Sequence, residues 1–354
     1  MRGADRRDVH GPKVTPCHDG VMLRRSSLSA VLCCAVLALA CSSGGDAAPD
    51  GPEGGGAAAG EAGERFWVDP GSPAARQAEE WEAAGRGDDA EVLRRIADRP
   101  LAHWAPGEED PGPWAREVTG AATAEGTTAV LVAYNIPHRD CGQYSQGGAR
   151  DDAAYAGWID ALAEGIGDAH AVVVLEPDAV PHVVDGCTAP MYVEDRLAAL
   201  AGAVDRLKEQ PHTRVYLDAG NPDWIADPAQ IAEPLRRAGV GGADGFALNV
   251  ANFQTLSDNT VYGHALSELL GGAHFVIDTS RNGNGPFDGG EESWCNPPGR
   301  ALGTPPTADT GDALTDALLW VKRPGESDGE CRGGPAAGQW WPEYALELAR
   351  AAAP

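Results

Sequence analysis

From Phe66 onward the chain alternates short, almost uninterrupted apolar runs with longer stretches rich in Ala and Leu. The apolar runs cover residues 129–134, 171–176, 214–217, 245–250, 274–277 and 318–321, and their brevity and β-branched content predict strands. Residues 153–165, 192–208, 228–238 and 261–270 lie between them and predict helices. No internal repeat is visible. Strands and helices in alternation imply a parallel sheet with right-handed crossovers.

Runs such as Val172-Val173-Val174-Leu175 are apolar at every position, as in strands buried on both faces. That pattern suits either an open doubly wound sheet or a closed barrel. The polar residues that follow each run favour the barrel: Tyr134 and Asp140, Glu176-Pro177-Asp178, Asp218, Asn249, Asp278 and Arg281, and Lys322 with Asp328. A barrel gathers strand ends at one mouth, where active sites sit, whereas an open sheet spreads them along an edge. The expected fold is therefore α/β, a distorted parallel (β/α) barrel of the TIM-barrel kind, with six strands visible and a weaker one hidden.

The length of 354 residues suits one large domain and a leader. Met22, followed by Arg24, Arg25 and an apolar stretch over residues 28–40, reads as a signal peptide too short to span a membrane. Small residues precede Cys41 and a polar run follows it, so Cys41 is the candidate lipid-modified residue of a lipoprotein; Ala38-Leu39-Ala40 also fits ordinary signal cleavage. Both routes export the protein, to the extracellular space or to the outer face of the cell membrane. Residues 41–63 hold little to bury and read as a tether, leaving 64–354 as the catalytic domain.

Charge narrows the ligands. Residues 1–40 contain six Lys/Arg and three Asp/Glu, so their removal takes the net charge from -26 to -29. Such an acidic surface disfavours nucleic acid, and a neutral polysaccharide carries no charge to repel. Outside residues 1–41 four cysteines remain, Cys141, Cys187, Cys295 and Cys331, enough for two disulfides with three possible pairings. No CxxC, HxH, HExxH or GxSxG spacing is present, so neither zinc nor a serine nucleophile is expected, and carboxylates are left as the acid–base pair.

Each carboxylate has a plain structural alternative. Asp178 follows a proline that ends its strand and is thrown into the mouth, yet it also fits a helix cap. Asp140, next to Cys141, either shares a proton with Asp178 or pairs with Arg139 or His138. Asp218, in Leu217-Asp218-Ala219-Gly220, is a site residue or a turn residue, and Trp224 behind it a sugar platform or core. Asp328 lies on a Pro- and Gly-built loop, free to hold water opposite an acid or to sit in a solvated turn. Ten Trp against five Phe is an unusual core balance, and Trp104, Trp224 and Trp294 fall in or beside loops.

Together these motifs resemble glycoside hydrolase family 6, secreted endoglucanases and cellobiohydrolases acting on β-1,4-glucan. The resemblance runs from Phe66-Trp67-Val68-Asp69-Pro70 to about Tyr344. It rests on Tyr134-Asn135-Ile136-Pro137 with Arg139-Asp140-Cys141, Glu176-Pro177-Asp178, Leu217-Asp218-Ala219-Gly220, residues 278–283, Trp294-Cys295-Asn296-Pro297, and residues 320–329. It implies a seven-stranded distorted barrel and hydrolysis with inversion. By position Asp178 is similar to the proton donor, Asp140 to its tuning neighbour, Tyr134 to the residue that distorts the sugar, Asp218 to a further aspartate beside it, and Asp328 to the base. Trp104, Trp224, Asn249, Trp294, Lys322 and Glu326 match substrate contacts, and Cys141 with Cys187 and Cys295 with Cys331 match its disulfides. Asn221 stands where the family usually has a histidine, and Ser145 is near the serine that contacts sugar and water. Without visible insertions to roof the cleft, an endoglucanase is expected before a cellobiohydrolase or a weakly catalytic glycan-binding protein, as a monomer without metal or cofactor.

Overall fold

The computed structural model describes residues 63–290 and 292–353. The leader, Cys41 and the tether as far as residue 62 lie outside the described residues. Seven parallel strands form one sheet in chain order: β1 (His103–Trp104), β2 (Ala129–Ala133), β3 (Ala171–Leu175), β4 (Thr213–Asp218), β5 (Gly245–Leu248), β6 (His274–Asp278) and β7 (Thr315–Leu319). The helices are α1 (Pro73–Ala83), α2 (Gly87–Ala97), α3 (Pro111–Ala124), α4 (Asp152–Ile166), α5 (Pro181–Val184), α6 (Val193–Leu207), α7 (Ala229–Arg237), α8 (Leu256–Leu269) and α9 (Pro342–Ala351).

Strand periodicity explains the curl. Side chains alternate between faces, and both faces here are apolar. Leu131, Val173, Leu217 and Ile277 pack outward under the helices. Their neighbours Val132, Val174, Tyr216, Val276 and Leu319 meet in a separate cluster inside the sheet. Two dry faces of a single sheet are satisfied when it wraps around its inner set and helices cover its outer set, which gives the distorted barrel.

β1 is the weak strand. Only two residues pair, His103 with Leu131 and Trp104 with Val132, too few for a sequence pattern. The sheet does not close by a β1–β7 ladder; instead Ala102 N donates to the Trp320 carbonyl oxygen at 3.0 Å and the Trp104 indole Nε1 to Val321 O at 2.9 Å. A satellite core of Trp81, Leu93, Ile96, Trp320 and Tyr344 joins α1, α2 and α9.

β7 begins earlier than the apolar run because it contains Asp316, a buried carboxylate that accepts from Tyr216 Oη and faces His274 Nδ1, each at 2.7 Å. It also ends earlier, because Val321 and Lys322 give their N–H groups to the Asp278 carboxylate at 3.2 and 3.0 Å. α8 starts five residues before the expected boundary of 261, where Thr255 Oγ1 caps it by accepting from Asp258 N at 3.1 Å.

Candidate active site

The strand ends open into a cleft of about 670 Å³. Three fully buried carboxylates brace its floor by accepting backbone N–H groups from the loops that follow the strands. Glu176, after β3, takes Asn135 N at 2.9 Å and Ile136 N at 3.0 Å from the loop after β2. Asp218, ending β4, takes Asp178 N at 2.8 Å and Gly220 N at 3.3 Å. Asp278, ending β6, takes Ala251 N at 3.0 Å as well as the Val321 and Lys322 N–H groups. Burial pushes Glu176 up to about 7 against the pull of those N–H groups, and drives Asp218 and Asp278 upward too.

On this floor stand the carboxylates that face the cleft. Asp178 has positive φ, as does Glu176 two residues before it, so the chain turns abruptly where β3 ends. The residue is half-buried and lines the cleft. Burial raises it to about 6; His182 opposes the rise, and Asp140 adds to it. Asp140 is likewise raised by burial, while Ser145 N, donating to its Oδ2 at 2.5 Å, pulls it down. Tyr134 stands edge-on to Trp104 at 5.5 Å, with the Arg139 guanidinium 4.8 Å from its ring. Burial and the nearby Asp178 keep its phenol protonated.

Asp328 has the opposite environment. Its Oδ2 accepts from Arg281 Nη1 at 2.8 Å and Asn296 N at 3.0 Å, and Lys322 Nζ lies 3.5 Å from Oδ1. Burial would raise it, but Arg281 and Lys322 prevail and hold it below the usual carboxylate range.

Twelve of the thirteen catalytic and sugar-contacting residues expected from the sequence line this one cleft: Trp104, Tyr134, Asp140, Ser145, Asp178, Asp218, Asn221, Trp224, Trp294, Lys322, Glu326 and Asp328. Asn249 does not. Its side chain is turned inward, donating to Asp278 O at 2.8 Å and accepting from Gln254 N at 3.0 Å, and so shapes the loop whose Ala251, Asn252 and Phe253 reach the cleft. Both disulfides are formed, Cys141–Cys187 and Cys295–Cys331. His182, Asp185, Tyr144 and Phe287 line the cleft without having been singled out. For His182 the signal available was its place four residues after Asp178. Among the described residues, two groupings bring metal-ligand atoms within 4.8 Å of one another, Asp140–Asp178–His182 and Cys141–His182–Cys187; the cysteines of the second are joined as a disulfide.

The family model described as Glycosyl hydrolases family 6 matches residues 61–352. The chain belongs to this family. It is 47% identical over 288 residues to Endoglucanase A of Cellulomonas fimi, covering 80% of this chain and 61% of that protein. Endoglucanase 1 of Streptomyces halstedii is 43% identical over 301 residues, 80% of this chain and 88% of that one. A solved structure of the endoglucanase Cel6 from Mycobacterium tuberculosis, in complex with methyl-cellobiosyl-4-deoxy-4-thio-β-D-cellobioside, superposes with a TM-score of 0.77 at 44% identity, over 82% of this chain and 98% of that one. This family 6 chain thus spans less than two thirds of the Cellulomonas relative and nearly the whole of the Mycobacterium structure.

Proposed function

We propose that the protein hydrolyses internal β-1,4-glucosidic bonds of cellulose or a related β-glucan, with inversion at the anomeric carbon. The observation that carries the reading is the opposed environment of two cleft carboxylates: Asp178 is raised to about 6 and Asp328 is held low. Two carboxyl groups driven apart in this way divide into a proton donor and a permanent carboxylate. Asp178 gives its proton to the glycosidic oxygen as that bond breaks. A water attacks the anomeric carbon from the opposite face, and its proton passes to the Asp328 carboxylate, which ends the step protonated.

The other residues serve this step. Asp140 shares the local negative charge with Asp178, Tyr134 crowds the reacting sugar, and Asp218 fixes the Asp178 backbone. Trp104, Trp224 and Trp294 offer flat faces to sugar rings, while Ser145, Asn221, Lys322 and Glu326 offer polar contacts. The endoglucanase names of the bacterial relatives support internal cutting. The same reading has the chain exported from a signal peptide starting at Met22, tethered through residues 41–63, lipid-modified at Cys41, and acting as a monomer.

The test is hydrolysis of soluble and insoluble β-glucans by the purified protein beside Asp178→Ala. Wild type should release reducing ends with a rapid fall in viscosity, and the variant should not. Early product seen by NMR should be the α anomer, and chelator should leave the rate unchanged. Equal release by both proteins removes Asp178 from the reaction; release of disaccharide without loss of viscosity replaces internal cutting by cellobiohydrolase action.

A further inference from the structure

The α5 turn follows Asp178 directly, and His182 N donates to the Asp178 carbonyl oxygen at 2.9 Å, so one short segment fixes the two side chains relative to each other. His182 is only 5% exposed. Its Nδ1 lies 3.4 Å from Asp185 Oδ2, and its Nε2 is buried with no hydrogen-bond partner. A ring nitrogen of His182 and one oxygen each from Asp140 and Asp178 lie within 4.8 Å of one another. On its other flank, Asp185 Oδ2 accepts from the Trp224 indole Nε1 at 3.0 Å, and the Trp224 ring stands edge-on to the imidazole at 5.0 Å.

A histidine serving only as packing would gain nothing from this place. An unpartnered buried nitrogen costs about 1–3 kcal/mol, and an apolar side chain of similar size would fill the space against Trp224 without that penalty. Two carboxyl groups side by side, by contrast, gain from a nearby group able to carry positive charge.

Arg196, a buried cation on α6, is tied to carbonyl oxygens, its Nη2 donating to Pro137 O at 3.1 Å and His138 O at 2.9 Å, and the remaining surroundings leave that task to His182. The loop after β2 contributes Tyr134, Arg139 and Asp140; the loop after β3 contributes Glu176 and Asp185; the loop after β4 contributes Asp218. Arg139 is engaged by carbonyl oxygens, its Nη1 donating to Tyr134 O at 2.5 Å and its Nε to Ser145 O at 2.9 Å. Asn221, at the cleft edge, carries no charge.

The geometry points to His182 as a positioning residue for the reaction: oriented by Asp185, its imidazole faces the Asp140–Asp178 pair and supplies beside it a group able to carry positive charge. Asp185 extends the same arrangement to the Trp224 platform, so the proton donor and one sugar-binding wall share a support. This rests on the reading of Asp178 as general acid.

The experiment compares wild type, His182→Leu and Asp185→Asn by kcat and KM across pH on a soluble β-glucan, and by 13C-carboxyl NMR titration of Asp178, which needs no turnover. Loss of the imidazole, whose influence opposes the rise of Asp178, lets Asp178 keep its proton to higher pH. The alkaline limb of kcat and the Asp178 titration should therefore both move upward in His182→Leu, by about one unit. Asp185→Asn, which removes a charge that itself raises Asp178, should raise KM, because the support shared by His182 and Trp224 is weakened.

A uniform fall in kcat with both pH readouts unmoved would leave His182 purely structural and overturn the proposal. If His182→Leu does not fold, the Asp178 titration in His182→Gln, neutral and able to hydrogen-bond, decides, an unchanged curve overturning it. If wild type cleaves no glucan, the general-acid reading fails, and the NMR shift still tests the contact between His182 and Asp178.

Discussion

Arg281 and Asp328 form a fully buried ion pair at the cleft, Nη1 to Oδ2 at 2.8 Å, with Arg281 also donating from Nη2 to Ala251 O at 2.5 Å. The pair joins the loop after β6 to the loop after β7, and its charge is what keeps Asp328 ionised. Arg281→Met strands a buried carboxylate, so it should cost about 3–5 kcal/mol of stability, read as a lower Tm. It should also raise Asp328; because the proposed base works deprotonated, the acidic limb of kcat should move to higher pH.

Glu176 makes stability depend on pH. Burial raises its folded pKa to about 7, above the ordinary 4.5 of a glutamate. The raised carboxylic acid therefore contributes stability that is fully present below pH 4 to 5 and is lost as pH rises through 7, an effect of roughly 3 kcal/mol for a fully buried group. Asp178 adds in the same direction. Thermal melts should show Tm falling between pH 5 and pH 8, and Glu176→Gln should flatten that fall.

Each disulfide pins a carboxylate of the proposed reaction. Cys141, bonded to Cys187, is adjacent to Asp140; Cys295, bonded to Cys331, is adjacent to Asn296, whose N–H holds Asp328. Replacing either pair with alanine should cost about 2–5 kcal/mol, measured by denaturant unfolding. kcat should fall by more than KM rises, since the loops that move carry the chemistry.

Gly329, next to Asp328, has φ +156, and a Cβ there would stand 2.4 Å from Tyr144 Cγ. Tyr144 also lies edge-on to Trp294 at 6.1 Å, so this one ring links the loop carrying Asp140 with the loop beside Asp328. Gly329→Ala should displace the ring at a local cost of about 1–3 kcal/mol and lower kcat/KM on long and short glucans alike. Tyr144→Ala should instead raise KM with the pH limbs in place, as steady-state kinetics would register.

Strands β2 to β7 were legible from their apolar runs, unbroken in residues 171–175, although Asp316 hid the start of β7. β1 was not, since two residues make no pattern and their partners supply the apolar surface. The site carboxylates were legible by position after strands, but position alone does not divide them. Asp218 and Asp178 both follow a strand, and only the N–H groups aimed at Asp218 reveal it as a brace under Asp178. Asn249 read as a cleft residue for the same reason; only its hydrogen bonds to Asp278 O and Gln254 N show that its side chain is turned inward. His182 escaped notice because Asp140 and Trp224, which flank it, come from other loops, and Asp178 and Asp185 alone read as its sequence neighbours.

The seam between β1 and β7 gives the cleft one compliant wall. Where the other strand junctions carry ladders, this one relies on Ala102 N to Trp320 O and on the Trp104 indole to Val321 O. A glucan chain resting on Trp104 on one side and Lys322 on the other would span the join and splint it. The substrate then acts as a stave of the barrel, and amide exchange at Ala102 should slow when cello-oligosaccharide is bound.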